Sequence, residues 1–216
     1  MSWKKLKDWD RESREPILSR INAKLHKGAP LKERITQTVY RLKVQLNRLE
    51  GANLRTQQHD RELFNKCVAA QLAKDNARAS MYANECAELR KIAKITLRSQ
   101  LALEQVMLRM ETIQEFGDVA ALMGPISGVV GSIKSQVSGV LPEVGYELGE
   151  IGDTLNSVVM EVGQTSGQSF DFEASSEEAS KIMTEANTIA EQRMREKFPE
   201  LPVSSSVEHV EVPPMR

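Results

Sequence analysis

The chain is 216 residues long, 27% charged and only 5% aromatic, a balance that suits elongated helices with a narrow apolar seam rather than a compact globule. Its net charge of −1 conceals a gradient: residues 1–58 hold 14 Lys/Arg against 6 Asp/Glu, residues 59–116 hold 9 against 8, and residues 117–216 hold 6 against 16. No apolar run reaches the ~20 residues needed to span a bilayer, since the nearest, Val119 to Leu141, is broken by Pro125, Lys134, Gln136 and four glycines.

Residues 1–30 read as an amphipathic, membrane-anchoring segment. Both tryptophans, Trp3 and Trp9, flank Leu6 among Lys4, Lys5 and Lys7. Indole rings prefer the headgroup layer and ammonium groups prefer anionic lipid, so this pattern fits an interfacial anchor. A frayed terminus whose rings rest on the rest of the chain is the alternative. A short helix follows, opened by Pro16, with Ile17, Leu18, Ile21 and Leu25 on one face and Lys24 and Lys27 beside them; Gly28 and Pro30 close it.

From Leu31 to Phe116 there is no proline, and Gly51 is the only glycine. Leu31, Ile35, Val39, Leu42, Leu46, Leu49, Leu63, Cys67 and Ala70 recur at steps of three and four, one face of a long helix. Tyr82, Cys86, Leu89, Ala93, Leu97, Leu103, Met107 and Met110 repeat the habit. The polar triplet Lys74-Asp75-Asn76 lies between the two halves, so the spacing predicts an antiparallel hairpin that buries one stripe against the other. The outward face of the first arm carries Lys32, Arg34, Arg41, Lys43, Arg48 and Arg55, answered only by Glu33 and Glu50 before Asp60. A merely solvated helix would show repeated i,i+4 pairing of opposite charges, so the face reads as a contact for a polyanion. Thr56 and Asp60 interrupt the stripe, and looser packing is expected there. The second arm is apolar on several sides and requires more than one partner. Cys67 and Cys86 sit on the stripes of opposite arms and read as buried thiols in preference to a disulfide; two cysteines and no signal peptide fit a reducing, cytoplasmic setting.

Ten of the twelve glycines fall between Gly117 and Gly167. Apolar residues there keep helical spacing, but each interior glycine weakens a helix by ~1 kcal/mol relative to alanine. Two weaker helices, about 118–140 and 143–163, are expected, jointed near Pro142 and able to lie on the hairpin or to extend it. Residues 164–175 read as a polar linker. Ser176-Glu177-Glu178 opens an acidic amphipathic helix whose apolar face is Ile182, Met183, Ala186, Ile189, Ala190, Met194 and Phe198, ending in a proline motif near 202; residues 203–216 read as a disordered tail. The fold class that follows is all-α: a core over 31–163, made of a long hairpin at 31–116 and switch helices at 118–163, closed or extended.

That layout, with Ala79-Ser80-Met81-Tyr82-Ala83-Asn84-Glu85, Leu89-Arg90-Lys91 and the ending from Ala190 to Pro202, resembles the ESCRT-III family of membrane-remodelling polymers and its archaeal cell-division (Cdv) branch. The resemblance implies a non-enzymatic, cytoplasmic subunit, stored closed and opened to join homo- and hetero-polymers with other ESCRT-III subunits on anionic membrane at the division site. It assigns membrane contact to the basic first helix and self-assembly to Ile182, Met183, Ile189 and Tyr82. It also implies docking of the MIT domain of a AAA ATPase on Arg193, Met194, Lys197, Phe198, Glu200, Leu201 and Pro202, which match the family motifs in part. The sequence ends before the winged-helix appendage of one Cdv member, so it looks like a paralogue without that module.

Other function classes fit less well. His26, His59 and His209 are scattered, with no metal-ligand spacing, phosphate loop or Ser/His/Asp set, and no catalysis, metal or cofactor is expected. A soluble coiled-coil adaptor would keep a steady heptad through the glycine-laced region. A helical pore-former would need Val119–Leu141 in the bilayer, against the acidic residues that follow. Nucleic acid would meet basic residues without the interleaved aromatics it favours, and is not expected.

Overall fold

The computed structural model describes residues 30–116, 119–166 and 172–202, with side chains described for 30–113, 123–164 and 175–202. The anchor expected in 1–29 and the tail expected in 203–216 lie outside the described residues. Among the described residues every regular element is a helix: α1 (Leu31–Leu72), α2 (Asn76–Phe116), α3 (Val119–Val137), α4 (Pro142–Ser166) and α5 (Phe172–Lys197).

α1 and α2 form the hairpin that the spacing predicts. At 42 and 41 residues each arm is ~60 Å long. The reversal is tight because the last turn of α1 closes on itself: the amide of Asp75 donates to Ala70 O at 2.9 Å and that of Lys74 to Gln71 O at 3.0 Å. This is the paired closure of a helix that ends on a left-handed residue, and Lys74 occupies that place with φ 58°. Asp75 then caps α2, its carboxylate accepting from the amide of Arg78 at 3.1 Å.

The two halves of the hairpin are packed differently. Toward the open end, Ile35, Leu42 and Leu49 meet Leu97, Leu103 and Met110 in a thick core. Toward the tip the buried apolar residues are Ala52, Cys67, Ala70, Ala79, Ala83, Cys86 and Ala93, small side chains that make a thin seam. α2 has the several partners that its apolar faces require, packing against α1, α3 and α5. α3 and α4 pair through Met123, Ile126, Val130 and Ile133 with Leu148, Ile151, Leu155 and Val158. α4 also lies on α1, and α5 lies on α2 and α3. The molecule is closed.

The weak helices differ from expectation at their ends. α3 stops at Val137, and Ser138–Leu141 turn the chain through bonds from Val140 N and Leu141 N to Val137 O. That elbow admits no side chain at Gly145, where a Cβ would lie 2.5 Å from Ser138 Oγ and 2.9 Å from its Cα. Gly128 likewise lets α3 approach α5, 3.1 Å from the Ala179 Cβ. The expected linker at 164–175 is helical through 166 and again from 172, so helix takes up part of the span that composition assigns to a linker.

Because Lys74 holds a conformation that glycine adopts without steric cost, Lys74→Gly is expected to stabilise the protein by ~1 kcal/mol. Chemical denaturation should show a higher midpoint with unchanged slope; Lys74→Val should lower it.

Candidate functional site

The basic face of α1 does not stand open along its whole length. Arg34, with 19% of its side chain exposed, donates to Glu161 at 2.5 Å and to Ser157 Oγ at 2.9 Å. Two turns on, Arg41 pairs with Glu147 at 3.2 Å. Both acids belong to α4, which runs antiparallel to α1 and brings its carboxylates over the arginines. α5 clasps α2 in the same sense: Arg109 pairs with Glu178, and Lys94 with Glu191 at 2.9 Å. Lys94 and Asn187 both donate to Glu191 and hold its carboxyl below the ordinary value, so its contribution is present above the ordinary glutamate pKa and fades as pH falls through the lowered one. Such solvent-screened pairs are individually weak. The clasp is a set of weak contacts.

One contact is of a different kind. Asp60 sits in the hairpin seam with 2% of its side chain exposed, and Arg90 grips it with Nε at 2.7 Å and Nη2 at 3.1 Å. The remaining donor, Nη1, reaches Pro199 O at 2.7 Å. The Phe198 ring lies 5.5 Å from the guanidinium carbon, within cation–π range, and Phe198 is buried. A single arginine therefore joins both hairpin arms to the end of α5. Where looser packing was expected at Asp60, the seam is closed, because a buried carboxylate gains a two-pronged partner from the facing arm.

Asn53 and Thr96, buried in the seam, are satisfied as well, whereas the buried Ser99 Oγ and Arg98 Nε of α2 have no hydrogen-bond partner among the described residues. Thr96 donates to Asn53 Oδ1 at 2.5 Å, and Asn53 Nδ2 to Gln100 Oε1 at 2.6 Å, a pairing that a slipped register would break. Cys67 contacts Ala79 O at 3.4 Å and Cys86 contacts Asp60 O at 4.0 Å. The two thiols thus occupy levels seven residues apart, ~10 Å along the axis, and are free. Burial above all, then the Asp60 charge, pushes the Cys86 thiol up to about 11.

Two relatives decide the family. Cell division protein B1 of Sulfolobus acidocaldarius is 47% identical over 175 residues, which cover 81% of this chain and 82% of that protein. Cell division protein B of the same organism is 37% identical over 182 residues, 84% of this chain and 70% of the relative. The chain belongs to the CdvB-like branch of the ESCRT-III family. The names of both relatives place that branch in archaeal cell division. No family model and no solved structure matches the chain.

In this CdvB-like chain the residues singled out from sequence are distributed unevenly. Of the membrane set, Trp3, Lys4, Lys5, Leu6, Lys7, Trp9, Lys24 and Lys27 lie outside the described residues. Lys32, Lys43 and Arg48 are exposed, while Arg34 and Arg41 face α4. Of the self-assembly set, Ile182 is inside the core, Met183 packs against it, Tyr82 is half-buried and Ile189 is exposed. Of the docking set, Phe198 is buried, Arg193, Met194 and Leu201 are half-buried, and Lys197, Glu200 and Pro202 are exposed. Sequence reasoning missed Asp60, Arg90 and the acids Glu147, Glu161, Glu178 and Glu191. Asp60 had a signal: a charge seven residues before Cys67 on the buried stripe demands a partner. Among the described residues no group of three or more potential metal ligands occurs, and no helix is long and apolar enough to cross a membrane.

The two sides of the latch separate by mutation. Arg90→Ala leaves Asp60 buried and unpaired and should cost ~3–5 kcal/mol of global stability. Phe198→Ala removes apolar burial and the ring contact at the end of α5, a local loss of ~2 kcal/mol. Hydrogen exchange should therefore quicken in residues 190–198 of Phe198→Ala and stay unchanged at 60–90; faster exchange in both regions would mean that the latch supports the hairpin itself.

Proposed function

We propose that the chain is a membrane-binding, filament-forming ESCRT-III subunit of archaeal cell division, described here in its closed, storage form. The observation that carries this reading is that Arg34 and Arg41, two of the cations on the face suited to anionic lipid, are covered by Glu161 and Glu147 of the glycine-laced helix α4. An anionic surface competes with those carboxylates for the same guanidinium groups. The ion pairs that hold α4 to α1 are partly exposed and replaceable by lipid phosphates, while its buried face, Leu148, Ile151 and Leu155, sets the barrier to opening. Lys32, Lys43 and Arg48, already on the surface, supply a first, weak encounter. Departure of α4 and α5 frees Arg34 and Arg41 for lipid and Ile182 and Met183 for a neighbouring copy or another ESCRT-III subunit. Polymer on a membrane neck then constricts it from the cytoplasmic side.

Glu147→Gln together with Glu161→Gln should loosen the clasp without touching the core. Pelleting with vesicles of phosphatidylglycerol and phosphatidylcholine should rise severalfold at low salt, and filaments should appear by negative-stain microscopy at lower protein concentration. Reversal of Lys32, Arg34, Arg41 and Lys43 to Glu should abolish pelleting. Equal pelleting by all three proteins would refute the reading and favour a soluble scaffold.

Disassembly belongs to the same proposal. The end of α5 and the residues after it suit the MIT domain of a AAA ATPase, with Phe198, Leu201 and Pro202 as apolar anchors and Arg193 and Lys197 beside them. Calorimetry with an isolated MIT domain should give binding that disappears in Leu201→Asp with Pro202→Ala. Undiminished affinity in that variant would place the docking site elsewhere.

A further inference from the structure

Arg34, Arg41, Arg48 and Arg55 recur every seven residues, which sets them in one row along α1 at ~10 Å intervals. α4 answers the first two with Glu161 and Glu147. It starts at Pro142, little more than a turn before Glu147, so hardly any of it remains to face the last two. Among the described residues neither Arg48 nor Arg55 pairs with a carboxylate. Arg48 makes one long contact, to Gln45 Oε1 at 3.5 Å. The Arg55 guanidinium folds back along α1, its Nη1 3.5 Å from the place where a Cβ of Gly51 would stand. Two unanswered cations thus converge on one bare stretch of helix.

That stretch is one wall of a groove of about 670 Å³, and the α3–α4 elbow from Leu141 to Val144 is the other. Val44, Leu141 and Val144 make one side of it apolar; the two guanidinium groups make the other cationic. The first-turn amides of Glu143 and Val144 add to the positive side, because they have no partner inside their own helix and Leu141 before it carries no capping side chain. Glu143 is the one carboxylate on the lining, so a singly charged anion gains little there and a dianion more. A phosphate monoester carries about −1.5 to −2 at pH 7, and its oxygens match the forked donors of two arginines. We propose that the elbow groove binds a phosphate monoester with a short aliphatic body, the phosphate between Arg48 and Arg55 and the body against Val44, Leu141 and Val144. Both walls exist together only while α4 lies on α1. The ligand therefore binds the closed chain in preference to the open one and holds it closed, an effect opposite in sign to that of an anionic surface that draws α4 away. The site needs no membrane and stands apart from that reading.

The test uses the full-length chain in phosphate-free buffer at low salt, with n-butyl phosphate and inorganic phosphate as probes. Butyl phosphate should shift the amide resonances of residues 48–55 and 143–145 and slow hydrogen exchange along α4. It should bind tenfold or more tightly than inorganic phosphate, since each methylene that reaches the apolar side contributes about fourfold. Arg48→Gln with Arg55→Gln should weaken binding tenfold or more, and Glu143→Gln should strengthen it severalfold. All three side chains are exposed, so the fold tolerates these changes, and the opposite signs separate lost charge from lost structure. A last arm adds vesicles of phosphatidic acid. Displacement of butyl phosphate while α4 stays protected would name a membrane lipid as the source of the phosphate; no displacement would name a soluble monoester, and the site stands in either case. Equal affinity for the two probes, unchanged affinity in the double-arginine variant, or faster exchange of α4 on binding would overturn the proposal.

Discussion

A carboxylate stripped of water inside a helical seam must be answered by a cation, and in this protein the answer reaches further than the seam. Asp60 gives up nearly all its exposure at the point where the hairpin is thinnest. Had it remained unpaired, the arms would separate there, since desolvating an isolated carboxylate costs several kcal/mol. Arg90 meets it with two donors and still has a third donor and a π-accepting face to offer. Pro199 O and the Phe198 ring take these up. Closure of the C-terminal third is thus built on a contact that the hairpin already needs for its own stability.

The remaining contacts are of a lower order. Ion pairs from α1 and α2 to α4 and α5 are partly exposed and sensitive to salt. The apolar contacts of α3 and α4 are extensive and are shared with α1, α2 and α5 in one core, so burial ties this cover more firmly than its ion pairs do. Glycine explains how this cover packs closely although its helices are intrinsically weak. At Gly128 and Gly145 the missing side chain permits close approach of neighbouring backbone or Cβ, while each interior glycine lowers the intrinsic stability of the helix that carries it. A hairpin free of interior proline, with small residues at its tip, thus carries at its base a cover whose helices glycine weakens.

Much of this was legible from the residues alone. The three–four recurrence from Leu31 to Met110 has one economical solution in water, and Lys74-Asp75-Asn76 combines polarity with turn-forming residues between the two stripes, so hairpin and tip followed directly. The two-sided apolar character of α2 required several partners, and the chain supplies them. What escaped is what depends on long separation. Arg34 and Arg41 looked unanswered because their acids lie more than a hundred residues away, and local charge pairing sees only a turn or two. Asp60 looked like a flaw for the same reason: its partner is thirty residues distant on the facing arm. The start of α5 was set too late because Ser176-Glu177-Glu178 is a strong capping pattern, yet nothing in residues 172–175 breaks a helix, and the chain begins it a turn earlier.

If the end of α5 is the docking segment proposed above, Phe198 would link storage to disassembly by simple exclusion. Its ring cannot lie against Arg90 and also fill a pocket on an ATPase domain. If the latch contributes ~2 kcal/mol, the end of α5 is released in ~3% of closed molecules, and a ligand that needs it free binds ~30-fold more weakly than its intrinsic affinity. Opening removes that factor. A subunit whose α5 has left Arg90 presents the docking segment at full strength, whereas a stored subunit presents almost none. Under that proposal an ATPase would not need to distinguish polymer from monomer by shape; the burial of one aromatic ring would be enough to direct it to subunits that have already opened.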